Sequence, residues 1–204
     1  GNADIEVVTR DEIAYVHFNF PGGALNFEQC QLLKNKLIEL KTSSVKVIVL
    51  MGGDEFWSNG IHLHAIENSQ DPAQYAWKNI QAIDDLVLEI INTPNQVTVA
   101  ALRNNAGAGG AIMPLACDRV IARDGIVLNP HYQSMGLYGS EYWTYLLPKR
   151  VGEKYAQKLT TQCLPLLASE ALTLNMVDEL YTEDWTGYHF SLENYCKDLV
   201  LNHT

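Results

Sequence analysis

The chain has 204 residues, 47 % apolar and 19 % charged, which is ordinary globular usage and excludes a disordered protein. That length suits one domain, or one domain with an appendage, and buries about 70 % of the unfolded surface without staples. Fourteen basic residues stand against 24 acidic ones, for a net charge of −10. Such a surface repels a nucleic-acid backbone but still allows one local basic pocket for a small anion.

Cys30, Cys117, Cys163 and Cys196 are far apart and form no CxxC pair. This predicts reduced thiols and a cytoplasmic setting rather than a disulfide framework. No apolar run approaches the ~20 residues of a membrane span, and no basic-then-apolar signal opens the chain. Gly1-Asn2-Ala3 replaces a starting Met and reads as a tag remnant, so a fragment of something longer is expected.

In chain order, Asp4–Val8 and Ile13–Phe20 are predicted strands around the turn-prone Thr9-Arg10-Asp11-Glu12. Pro21-Gly22-Gly23 breaks the second. Phe27 to Leu40 has apolar residues at helical spacing, and Val45–Met51 is a β-branched run suited to a strand covered on both faces. A long helix is predicted over Pro72–Ile91, with Pro72 in its first turn. Val97–Leu102 is another buried strand, followed by the turn AGAGGA at Ala106–Ala111 and a short apolar helix ending near Ala116. Asp118–Ala122 and Ile126–Leu128 are short strands. Tyr142–Leu147 and Glu153–Gln162 are helices separated by Pro148 and Gly152. A helical turn begins at Ser169, and Trp185–Leu201 closes the chain as an amphipathic helix. Strand pairs before single helices predict an α/β domain over residues 4–183 with largely parallel pairing, and a helical tail over 184–204 belonging to the same domain.

Two segments share one layout: buried strand, glycine-containing turn, helix. The first is FWSNGIHL at Phe56–Leu63 and the second is AGAGGA. Small residues admit a ligand close to the backbone, and such turns aim free N–H groups at one point. Side by side, they could give one carbonyl oxygen two donors, an oxyanion hole. Close helix–strand packing explains either turn alone. Gly107, Gly109 and Gly110 do not match GxGxxG, so a dinucleotide site is poorly supported.

These residues carry a resemblance. TVAALRNNAGAGGAIMPLACDRVIA (Thr98–Ala122), FWSNGIHL, PGGALN (Pro21–Asn26) and ASEALTLNMVDEL (Ala168–Leu180) resemble, in order, four segments of the crotonase (enoyl-CoA hydratase/isomerase) superfamily. The resemblance implies a spiral of ββα repeats, the ClpP/crotonase fold, and a coenzyme A thioester ligand. It implies an oxyanion hole from the backbone N–H groups of Asn59 and Gly109, and coenzyme A contacts from Ala24, Leu25, Ser58, Gly60 and Ile61. It implies no metal. Family members commonly trimerise through C-terminal helices, so self-association stays open for this short tail.

The chain departs from the family at both carboxylate positions of its hydratases. Ile112 holds one and His131 the other. An isoleucine cannot carry a proton, so hydration of a double bond lacks its acid/base pair. The stretch NPHYQSMGLYGSEYWTYLLPKRVG that follows resembles the crotonase-like C-terminal half of the HypX/HoxX family of hydrogenase maturation factors. That resemblance implies release of carbon monoxide from formyl-CoA for a nickel–iron hydrogenase, with a formyl-tetrahydrofolate-binding half as partner in the full-length chain. Glu141, Tyr132, His131 and Tyr142 become the candidate catalytic residues. Each also has a plainer reading: Glu141 as a favourable charge at a helix N-terminus, the tyrosines as amphipathic core, His131 as a hydrogen-bonded imidazole. The alternatives are another crotonase-type isomerase or thioester hydrolase, or a module that binds coenzyme A or a partner without turnover.

Several further residues are weighed singly. His62 and His64 point apart on a helix and make a poor metal pair. Cys117 reads as core. Arg103 either meets a coenzyme A phosphate or pairs with Asp118 or another acid. Lys149 and Arg150 read as a solvated surface pair.

Overall fold

The computed structural model describes residues 5–59, 68–129, 141–162 and 164–203. Strands β1 (Ile5–Arg10), β2 (Ile13–Phe18), β3 (Val47–Gly52), β5 (Val97–Leu102), β7 (Arg119–Arg123) and β10 (Glu179–Tyr181) form one six-stranded sheet in the order β1-β2-β3-β5-β7-β10. The β1–β2 pair is antiparallel and the other pairs are parallel. A second sheet of very short strands, β4 (Phe56–Ser58), β6 (Asn105–Gly107), β8 (Val127–Asn129) and β9 (Leu166–Leu167), lies in the order β4-β6-β8-β9. Each parallel strand of the large sheet from β3 to β7 is thus followed by a short strand of the small one. This is the expected α/β spiral.

Alternation along the large sheet fills two cores. Ala14, Val16, Ile48, Leu50, Ala100 and Leu102 face helices α1 (Phe27–Lys41) and α2 (Pro72–Ile91). Tyr15, Val47, Val49, Ala101 and Ile121 face helix α6 (Trp185–Leu201), which buries Tyr188, Leu192 and Cys196 against them. All six residues of β3 are buried, as its β-branched run predicts. The predicted bounds of α2, β5 and α6 match the structure, and the tail packs on the sheet.

The helix ends have visible causes. Asp71 accepts from the Gln74 N–H before α2 and Asp184 from the Gly187 N–H before α6, as N-caps do. Lys41 Nζ closes the far end of α2 by donating to Glu89 O and Asn92 O. Helix α3 (Glu141–Val151) is the correction. Pro148 does not break it, and the helix runs on to Val151 before Gly152 separates it from α4 (Glu153–Gln162). Helix α5 (Ala168–Thr173) precedes β10.

Candidate active site

The two glycine turns meet where the short strands end. Strand β6 pairs with β4 through Ser58 and Ala106, and with β8 through Gly107 and Asn129. The chain then turns through a 3-10 segment, Ala108–Ala111, that contains Gly109. A Cβ on Gly110 would lie 2.4 Å from the Ser58 carbonyl oxygen and 2.6 Å from its carbon. The turns therefore touch backbone to backbone, a contact that only glycine permits.

A third segment locks against them. Asn59 Nδ2 donates to Gly22 O at 2.8 Å, Ser58 Oγ donates to Gly23 O at 3.2 Å, and the Asn59 backbone N–H donates to Gly23 O at 2.7 Å. The last bond corrects the expectation for Asn59. Its amide is committed to the Pro21–Gly23 turn and is not a free oxyanion donor.

The remaining expected ligand contacts divide. Leu25 is fully buried and Ala24 nearly so, both in the apolar interior, so their side chains offer no surface to a ligand. Ser58 is buried and holds the turn. Gly60, Ile61, His131 and Tyr132 lie outside the described residues, as do His62 and His64. Glu141 and Tyr142 are the first two residues of α3. Ile112 is buried in the main core and is part of the packing. Among the described residues no group of three or more His, Cys, Asp or Glu could hold a metal ion. Among the described residues no helix is long and apolar enough to cross a membrane.

Arg103 does not pair with Asp118; of its expected partners, another acid is met, with Asp54 at the edge of ion-pair distance. Its guanidinium is buried and donates to Met51 O at 2.8 Å, Gly53 O at 3.1 Å and Gly52 O at 3.3 Å, with Asp54 at 4.0 Å. It ties the end of β3 to the end of β5. Asn104 adds bonds to Gly53 O and Asp54 O, and Arg123 donates to Arg103 O. Both guanidinium groups lie near the Trp185 ring, at 5.2 and 5.3 Å. His189 sits beside them, its Nδ1 against Trp185 O and its Nε2 3.5 Å from Arg103 Nη1. Because arginine only donates, Nε2 is the acceptor and the ring is neutral. Burial, reinforced by the neighbouring guanidinium groups, holds the His189 pKa below its ordinary value. Asp118 instead holds Thr98, accepting from its backbone N–H and its hydroxyl.

Arg150 is likewise no solvated partner of Lys149. It donates to Cys117 O, Met176 O and Asp178, joining α3 to the sheet. The Cys117 thiol is wholly buried and pushed up to about 12, so it is core, as expected, and no nucleophile. Cys30 and Cys196 are also buried free thiols. Sequence reasoning missed Asn129, whose Oδ1 is buried and has no hydrogen-bond partner among the described residues. Its signal was the NP dipeptide just before His131.

Comparison with known proteins agrees with this geometry. The family described as enoyl-CoA hydratase/isomerase matches residues 9–189. The hydrogenase maturation factor HoxX of Bradyrhizobium diazoefficiens is 44 % identical over 181 residues, 88 % of this chain and 32 % of that protein. The putative enoyl-CoA hydratase/isomerase YhaR of Bacillus subtilis is 27 % identical over 88 % of this chain and 71 % of its own length. The crystal structure of HypX from Aquifex aeolicus with tetrahydrofolic acid superposes with a TM-score of 0.93 at 41 % identity, covering 98 % of this chain and 36 % of that one. The chain therefore spans about a third of the HoxX and HypX relatives. With two sheets wound as a ββα spiral, touching glycine turns and a family match over nearly its whole length, the chain belongs to the enoyl-CoA hydratase/isomerase family.

Proposed function

We propose that this chain is the thioester-handling part of a hydrogenase maturation factor and converts formyl-CoA into carbon monoxide and coenzyme A. The observation that carries the reading is the backbone contact between the glycine turns; the sequence resemblance supports it by putting Ile112 and His131 where hydratases of the family have carboxylates. The 44 % identity to HoxX supplies the setting.

The reaction is redox-neutral. A base takes the formyl proton, the carbon–sulfur bond breaks with its electron pair going to sulfur, and the thiolate regains a proton. The Gly109 amide holds the carbonyl oxygen. Glu141, at the start of α3, takes the proton. Tyr132 or Tyr142 donates to sulfur, and His131 is the alternative proton carrier. A tetrahydrofolate-binding portion of the same full-length protein supplies the formyl group, a role consistent with the ligand of the HypX relative.

Glu141→Gln tests the assignment. Removing a general base costs about 10²–10⁴ in rate. The variant should bind coenzyme A normally in calorimetry and release carbon monoxide more slowly by that factor. Unchanged release refutes the role of Glu141. Hydration of crotonyl-CoA by the wild type at about 1–1000 per second would refute the reading as a whole.

A further inference from the structure

Strand β1 is the long edge of the large sheet. It has six residues, against three in β10 at the other edge. Among the described residues β1 pairs with β2 alone, in an unbroken antiparallel register. Such a strand sends about half of its N–H and C=O groups to each side, so the outer half points away from the sheet. Edges of this length are usually blunted by proline, a bulge or a lysine, and β1 has none of these. It carries one acid and one base instead. Glu6 and Arg10 are exposed and stand on either side of the half-buried Val8. Alternation puts all three on the α6 side of the sheet, where Val8 packs on the core and Arg10 meets Glu193 at 3.3 Å.

We infer that β1 is a docking edge for a second copy of this chain, the two β1 strands pairing antiparallel about a two-fold axis at Val8. Opposite residues of an antiparallel pair share a face, and a two-fold axis normal to the sheet keeps every residue on its own face. The axis must therefore pass between two copies of the same residue. Centred on Val7, the pairing sets Glu6 against Val8. Centred on Thr9, it sets Arg10 against Val8. Centred on Val8, it sets Glu6 against Arg10 on both sides of the axis, Val7 against Thr9 and Val8 against itself. Opposite charges facing each other across a strand pair stabilise it, and like charges destabilise it. The same two charges meet a strand of unrelated sequence unmatched, which selects for this chain over other strands. A seam of six residues a side is smaller than a standard interface, so the dimer is weak, with a Kd in roughly the micromolar range or above.

Sedimentation equilibrium on the chain from about 1 to 500 μM tests this and should show a monomer–dimer equilibrium. Glu6→Arg sets base against base across the seam, and Arg10→Glu sets acid against acid. Each variant alone should dimerise about tenfold more weakly than wild type. In an equimolar mixture of the two, every facing pair is again acid against base, so affinity should return to within about threefold of wild type. The double variant Glu6→Arg/Arg10→Glu exchanges the charges and should dimerise like wild type by itself. Loss of the Arg10–Glu193 bridge cannot imitate either recovery, because the bridge stays broken in both. A chain that is monomeric throughout overturns the inference. So does a dimer that neither single variant weakens, or a loss that neither the mixture nor the double variant restores.

Discussion

Gly110→Ala is the most direct test of the turn-to-turn contact. The added carbon would sit 2.4 Å from Ser58 O, 2.6 Å from Ser58 C and 2.7 Å from Ser58 Cβ. Carbon–oxygen contacts need roughly 3.3 Å or more, so the two backbones must part by about 0.8–1 Å. Neither can move freely, because Ser58 and Asn59 are tied to the Pro21–Gly23 turn. Overpacking of this kind costs about 1–3 kcal/mol, with the upper end expected where backbone rather than side chain must yield. A displacement of about 1 Å at a reacting centre costs about 10²-fold in rate. Urea unfolding should show a lower midpoint with an unchanged slope, and carbon monoxide release from formyl-CoA should fall about 10²-fold. An unaltered midpoint together with full activity would refute the contact, and with it the claim that these turns jointly shape the site.

Arg103→Met removes the donors to Met51 O, Gly52 O and Gly53 O and leaves buried carbonyls unmet. It should cost about 2–4 kcal/mol in denaturant unfolding, whereas a change below about 1 kcal/mol would mean that water or another donor replaces the guanidinium. His17 and His189 both have pKa values lowered from 6.5, chiefly by burial. For each, the unfolded chain binds the proton more readily, so stability is whole above about pH 6.5 and declines as the pH falls from there toward the lower folded value. Unfolding midpoints measured from pH 7.5 to 5 should show this decline, and His189→Gln should flatten part of it. A decline of the same size in His189→Gln would exclude that imidazole as a contributor.

The large sheet and its helices were legible because each follows a strong local rule. The continuous apolar run of β3 and the 3.6-residue spacing of α2 allow one reading each. The short sheet was partly hidden, since strands of two or three residues such as Leu166–Leu167 have no periodicity to detect. Their pairing is set by the large sheet, which brings them into line. Pro148 misled because an interior proline usually ends a helix, whereas here the helix runs on to Val151 without that N–H. Arg103 misled in another way. A lone arginine beside a glycine turn suggests an anion, and only the folded chain reveals three carbonyl oxygens converging on it. The same limit applies to Asn59: the motif marks the turn, while the competitor for its amide, Gly23 O, lies 36 residues earlier in the chain.

That competition also bears on how the site is built. A strand end that feeds a ligand must leave polar groups unused, which weakens the place where it does so. In the small sheet Asn129 Oδ1 has no hydrogen-bond partner among the described residues. The supporting bonds lie one layer away. Arg103 and Asn104 fasten the end of β3, Arg123 fastens Arg103, and Trp185 on α6 stacks over both guanidinium groups. Each of these bonds restrains a strand or loop that leads directly into one of the glycine turns. The tail helix therefore supports the site without reaching it, since it covers the arginine pair of which Arg103 ties the end of β3 to the end of β5.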